Sequence, residues 1–151
     1  MKSTLALLAV MATAAAPAFA EGDAAKGEAV FKQCQTCHVV ADADGKVLAG
    51  KASKTGPNLY GVVGRVAGTY PEFKYGESMV AAGAAGLVWV EAKFEAYVQD
   101  PQKFLKEELA DKSAKGKMAF KVKNAEMAAD VYAYIASLGP VVDPAAAPAA
   151  N

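Results

Sequence analysis

Apolar residues along this chain fall into short helical stripes separated by long, glycine-rich stretches. Asp23 stands before Ala24-Ala25-Lys26-Gly27-Glu28-Ala29-Val30-Phe31, the pattern of a helix capped by a side chain. Gly27 inside that segment costs about 1 kcal/mol of helix propensity relative to Ala, and marks a place where another helix can come close. Residues 39 to 70 hold many glycines, one proline and little periodicity, which predicts loops. A short helix is expected around Glu77 to Ala82. Phe94, Tyr97 and Val98 recur at helical spacing within Glu91 to Gln99, and that segment must stop before Pro101. Pro101 can itself open a helix reaching Glu108. Asn124 can cap a final helix carrying Met127, Val131, Tyr134, Ile135 and Leu138 on one stripe, ended by Gly139-Pro140. Strand signals are nearly absent. The expected fold class is all-α, with long loops that need a large cofactor to wrap around.

The two ends read differently from the middle. Lys2, the uncharged apolar stretch Leu5 to Ala16 and the small-x-small sequence Ala18-Phe19-Ala20 form the pattern of a cleaved secretory signal peptide over residues 1–20. The apolar stretch is too short and too rich in Ala for a spanning helix, and no other segment approaches that length. The expected product is a soluble protein exported to the periplasm. Residues 21–139 then make one domain. Residues 140–151 are rich in Pro and Ala, carry Asp143 as their sole charge, and are expected to form a flexible tail.

Charge changes the picture through its distribution. The chain has 16 Lys+Arg against 16 Asp+Glu, which gives no support for a nucleic-acid partner. Lys112, Lys115, Lys117, Lys121 and Lys123 nevertheless cluster with no acid between Lys112 and Lys123. Acids gather elsewhere, at Asp42, Asp44, Glu107, Glu108 and Asp111, so the molecule is expected to have an electric dipole.

Chemistry concentrates in Cys34-Gln35-Thr36-Cys37-His38, which holds both cysteines and the sole histidine. Cys-x-x-Cys-His is the attachment pattern of c-type haem. Two thiols three positions apart on a helical turn can reach the two vinyl groups of one porphyrin, and the following imidazole can then bind iron. A thiol oxidoreductase needs a mixed α/β pattern around its cysteines, and zinc needs four ligands where this run offers three. One haem c bound through Cys34 and Cys37 is therefore expected. His38 leaves the sixth iron position to a second ligand or open. Met79 and Met127 fall within expected helices and are most simply packing residues. Met118, in Lys115-Gly116-Lys117-Met118-Ala119-Phe120, is the well-placed thioether outside a helix.

With these residues in view the chain resembles the class I c-type cytochromes, in particular the cytochrome c2 and c550 group. The likeness runs over nearly all of residues 21 to 138. Its marks are the Cys-x-x-Cys-His run, Lys54-Thr55-Gly56-Pro57-Asn58-Leu59-Tyr60-Gly61, Gly64-Arg65, Phe73-Lys74-Tyr75-Gly76, Trp89 with Tyr97, Lys117-Met118-Ala119-Phe120, and the final helix containing Tyr134. The stretches from Val39 to Ser53 and from Lys106 to Lys115 are longer than in the shortest members. Gly116 stands where many relatives carry Thr, which puts a hydroxyl hydrogen bond near the haem in question.

The resemblance implies the class I cytochrome c fold and a set of roles. His38 and Met118 would be the axial ligands, and the Pro57 carbonyl would accept from the second nitrogen of His38. Tyr75 and Trp89 would hydrogen-bond a haem propionate, with Arg65 offsetting its charge. Tyr97 would lie next to the Met118 sulfur, and Gly27 and Phe31 would pack on Tyr134. Lys117, Lys121 and Lys123 would dock an acidic partner surface. The implied function is monomeric one-electron carriage, not enzymatic catalysis. A quinol-oxidising cytochrome bc complex would be the donor, and a cytochrome c oxidase or photosynthetic reaction centre the acceptor. The rival reading is a haem enzyme or gas-binding c-type haem protein with an open sixth site. That class places its motif near the C-terminus or adds a distal His, and this chain does neither.

Overall fold

A computed structural model describes residues 22–143. Among these residues the order is α1 (Ala24–Phe31), a hairpin of β1 (Val39–Ala41) and β2 (Val47–Gly50), then α2 (Glu77–Ala84), α3 (Glu91–Gln99), α4 (Pro101–Glu108) and α5 (Ala125–Leu138). No helix among the described residues is long and apolar enough to cross a membrane. The expected signal peptide lies outside the described residues.

Three helices begin where a side chain caps them. Asp23 Oδ1 accepts from the amides of Ala25 at 2.9 Å and Lys26 at 3.2 Å. Asp100 Oδ1 accepts from the Lys103 amide at 3.1 Å, with Pro101 in the first turn of α4. Asn124 Oδ1 accepts from the Met127 amide at 2.9 Å. Two of the four unsatisfied N-terminal amides of α1, and one each in α4 and α5, find a partner in this way. The caps of α2 and α3, Gly76 and Val90, make no such bond. α2 runs to Ala84, past the expected Ala82, and stops at Gly86 with φ +96°.

The first and last helices cross at bare backbone. A Cβ on Gly27 would lie 2.0 Å from the Asp130 carbonyl oxygen and 2.7 Å from Tyr134 Cβ. Glycine is what lets α1 approach α5 this closely. Beside the crossing the Phe31 and Tyr134 rings lie 5.5 Å apart. Asp130, the sole buried charged side chain among the described residues, accepts from the Asp23 amide at 2.8 Å, as a buried carboxylate must. On the other side of α5, Tyr132 packs on Phe94 of α3 at 5.4 Å.

The stretch from 39 to 70, expected to be loop throughout, contains the hairpin. Val39 pairs with Gly50 and Val40 with Ala49, and the register shifts before Ala41 pairs with Val47. Asp42 shapes its turn by accepting from the amides of Asp44 at 3.0 Å and Lys46 at 2.9 Å, with Gly45 at φ +80°. Strands this short give no alternation to read, but Asp-Ala-Asp-Gly between valines was a turn signal. The all-α class stands, since five helices carry the regular structure among the described residues and the one hairpin is short, although Val40 of β1 and loop residues such as Leu59 and Val62 share the core with them. The chain also stays on the domain after Gly139. The Val142 amide donates to the Val63 carbonyl at 2.8 Å. Residues 144–151 of the expected tail lie outside the described residues.

Candidate functional site

The turn after α1, residues of α2, α3 and α5 and the loops between them line a mostly apolar cavity of about 520 Å³. One wall grows directly out of α1. The Cys34 amide continues the helix by donating to Phe31 at 2.8 Å. The Cys37 and His38 amides then both turn back onto the Cys34 carbonyl, at 3.0 and 2.9 Å. This tight turn brings Cys34, Cys37 and His38 to the cavity as three members of one wall. Both cysteines are free, half-buried thiols. Burial, reinforced by the neighbouring Cys37, pushes the Cys34 thiol up to about 11, so it stays protonated at neutral pH.

His38 is fixed from behind. Its Nδ1 lies 2.9 Å from the Pro57 carbonyl oxygen. A carbonyl can only accept, so Nδ1 carries the proton and Nε2 is left as the lone-pair nitrogen. Burial holds the imidazole below its ordinary range, and the Pro57 bond opposes that shift only in part. Pro57 is itself anchored, because the Gly56 amide donates to the Cys37 carbonyl at 2.8 Å. A Cβ on Gly56 would sit 2.5 Å from His38 Cε1, so the ring occupies the space that any side chain there would fill.

A second wall is the segment around Met118, which lines the same cavity. It has no helix or strand and is held by bonds to elements distant in sequence. The Lys115 amide donates to Ser78 Oγ of α2 at 3.0 Å, and the Val122 amide donates to the Val98 carbonyl of α3 at 2.8 Å. Gln102 of α4 contacts the same segment three times. Its Oε1 accepts from the Gly116 amide, and its Nε2 donates to the carbonyls of Gly116 and Met118, each at 3.0 Å. The amide thus stands where the loss of a Thr hydroxyl at position 116 left a question, though it bonds backbone and not the cavity.

Aromatic rings and one cation complete the lining. Trp89 and Tyr97 lie 5.0 Å apart, with Phe104 packed 5.7 Å from Tyr97. Burial raises the Tyr97 and Tyr75 phenols, so both remain neutral hydroxyl donors. Arg65 donates to the carbonyls of Asn58 at 3.0 Å and Tyr60 at 3.2 Å, and lies 5.2 Å above the Tyr70 ring. Its electrostatic neighbours are the Tyr75 and Tyr70 phenols, and among the described residues no carboxylate pairs with it. Desolvation pulls this guanidinium below its ordinary range, which leaves a cation at the cavity with no carboxylate of the described residues to balance it.

All nine residues expected to contact a cofactor line this one cavity: Cys34, Cys37, His38, Pro57, Arg65, Tyr75, Trp89, Tyr97 and Met118. Met79, read from sequence as packing, is buried and lines it too, whereas Met127 does not. Phe73 and Phe120 were also missed as cavity residues. The lysine cluster is less free than its sequence implies. Lys117 Nζ donates to the Lys74 carbonyl and lies 5.6 Å from the Phe73 ring. Lys121 pairs at 2.7 Å with Asp100, an acid distant in sequence.

The donor set fits a covalently attached haem. Two thiols and an imidazole share one wall, a thioether lies on the other, the cavity between them is apolar, and the unbalanced guanidinium suits a propionate. No family model matches the chain. Individual relatives do. It is 58% identical over 132 residues to a cytochrome c2 of Cereibacter sphaeroides, covering 86% of this chain and 91% of that one. It is 44% identical over 149 residues to cytochrome c-550 of Paracoccus versutus, covering 97% and 95%. Among solved structures, cytochrome c2 from Rhodobacter sphaeroides superposes with a TM-score of 0.77 at 56% identity, over 79% of this chain and 98% of that one. With the attachment motif, the cavity and these likenesses in agreement, the chain belongs to the cytochrome c2 and c-550 group of class I c-type cytochromes.

Proposed function

We propose that the protein is an exported, periplasmic one-electron carrier that receives electrons from a quinol-oxidising cytochrome bc complex. It would deliver them to a cytochrome c oxidase or a photosynthetic reaction centre. The observation that carries this reading is the presence of Cys34, Cys37, His38 and Met118 together in the lining of one mostly apolar cavity. Held by two thioethers, a haem supplies a ferric/ferrous couple that exchanges one electron at a time.

The chain's own residues set the terms of that exchange. His38, with Nδ1–H committed to Pro57, offers Nε2 as a ligand of fixed tautomer and raised basicity. Met118 offers a neutral, soft thioether, which favours the ferrous state and raises the potential. The apolar lining acts in the same direction, because it disfavours the extra positive charge of the ferric centre. Arg65 offsets propionate charge, with the neutral hydroxyl of Tyr75 and the indole of Trp89 as further donors. With His38 and Met118 both holding the iron, substrate would have no route to it, which would separate a carrier from a haem enzyme or gas binder.

The first test is spectroscopic. Met118→Ala should keep haem attached through Cys34 and Cys37, lose the weak ferric band near the red end, bind cyanide readily and show a substantially lower potential. Met79→Leu is the sharp control, because Met79 also lines the cavity. A spectrum that changes in Met79→Leu and not in Met118→Ala would overturn the ligand assignment. The second test concerns partners. Lys117, Lys121 and Lys123 replaced by Glu should slow association with an acidic redox partner and weaken its salt dependence, which acts over roughly 8 Å at physiological ionic strength. Replacing Lys26, Lys46 and Lys93 instead should do much less. Equal effects would mean that net charge and not a docking face governs the encounter.

A further inference from the structure

Resting on Met118 as the sixth ligand, we propose that Gln102 is the positioning residue that keeps this thioether on the iron. Gln102 does not line the cavity, so it touches neither cofactor nor reacting atoms. It acts through the backbone of the ligand's own segment. One side-chain amide makes three bonds there, accepting from Gly116 N–H and donating to the Gly116 and Met118 carbonyls, each at 3.0 Å. The amide's donor and acceptor sides are both used, which fixes the segment in register as well as in distance.

The platform beneath the amide is rigid. Pro101 and Leu105 on either side of Gln102 are among the most deeply buried side chains of the protein, and Asp100 caps the helix. The segment above it is not rigid by itself, since no helix or strand runs through it. Gly116 allows the two to meet. A Cβ there would lie 3.1 Å from Leu105 Cδ1 and 3.3 Å from Gln102 Nε2. Ligand exchange at a filled iron site requires the Met segment to swing away, and that motion must break the amide's bonds to it. Removing the amide lowers the cost of swinging without altering any group in the cavity. One ordinary hydrogen bond's worth of restraint corresponds to about a tenfold change in an opening equilibrium.

The experiment uses the haem-loaded full chain and three variants. Gln102→Ala removes all three bonds. Gln102→Glu keeps helix propensity, length and the acceptor for Gly116 N–H, but sets carboxylate oxygens against the two carbonyls. Asp23→Ala removes the cap of α1, away from the Met118 segment, and serves as the control for general destabilisation. The readouts are the weak ferric band near the red end, the rate of cyanide capture by ferric protein, and hydrogen exchange of the Gly116 amide. Both Gln102 variants should weaken the band and capture cyanide about tenfold faster or more. The Gly116 amide should exchange faster in Gln102→Ala and stay protected in Gln102→Glu. Asp23→Ala should leave the band and the cyanide rate unchanged. The inference is overturned if the Gln102 variants match the parent in band and rate while Met118→Ala opens the iron. It is overturned equally if Asp23→Ala accelerates cyanide capture as much as they do. If Met118→Ala itself leaves the ferric spectrum and cyanide rate unchanged, the ligand reading fails instead.

Discussion

The two walls of the cavity are built in opposite ways. The histidine wall is continuous with α1. Its turn closes through backbone bonds between neighbours, and Gly56 and Pro57 lock the ring from behind. The Met118 wall has no regular structure and borrows its shape from Ser78, Val98 and Gln102 on three different helices. The lesson is that a short-range wall is rigid because its parts cannot separate, and a long-range wall is only as rigid as its tethers. For the cavity this leaves His38 fixed and Met118 removable.

The contrast breaks first, and hardest, at glycine. Gly56→Ala would put a methyl 2.5 Å from His38 Cε1 and 2.7 Å from Nδ1, against a ring pinned by Pro57. Overpacking of this kind costs about 1–3 kcal/mol, and a denaturant melt should show it. Gly116→Ala on the other wall meets looser contacts, 3.1 Å from Leu105 Cδ1 and 3.3 Å from Gln102 Nε2, and should cost less than Gly56→Ala. Equal losses in the two melts would erase the distinction between a stiff and a yielding wall.

A gain is expected just beyond α4. Ala110 is the sole non-glycine at positive φ among the described residues, at +50°, in the position after the helix cap where glycine is favoured. Ala110→Gly should raise stability by about 0.5–1 kcal/mol, measured as a higher melting temperature, and leave the visible spectrum unchanged. A spectral change would mean that the helix end and the ligand segment move as one.

The smallest effect is electrostatic. Lys121 first, and then the Lys103 amide, hold the Asp100 carboxyl below its ordinary range. Folded Asp100 therefore titrates below its unfolded value. The stability it adds is present above the unfolded value of about 3.9 and is lost as pH falls through the folded one. Lys121→Ala should move the Asp100 titration upward, read by carboxyl NMR, and shrink that acid-sensitive contribution. An unmoved titration would show that the helix cap alone holds the carboxylate.

These walls differ in legibility for the same reason that they differ in construction. The Cys34-to-His38 run could be read directly because its geometry is local. Asp23, Pro101 and Asn124 announced their helices because start signals act within the first turn, whereas the Asp100 cap was not read. The identity of the Met segment came from resemblance, and its tethers could not be read. Nothing in the sequence links Gln102 to Gly116, or Lys121 to Asp100, since only the folded chain makes them neighbours. The hairpin escaped because three- and four-residue strands give no period, although Asp42 and Gly45 marked its turn.

The crossing of α1 and α5 at Gly27 also has a meaning in time. A chain is made from its N-terminus, and Cys34 and Cys37 emerge well before Ala125–Leu138, the partner on which α1 rests. Synthesis runs at about 5–20 residues per second, so several seconds separate the two events. Through that interval α1 and the turn it carries have no helix to rest on, and the close approach that Gly27 allows is made only when the last helix arrives.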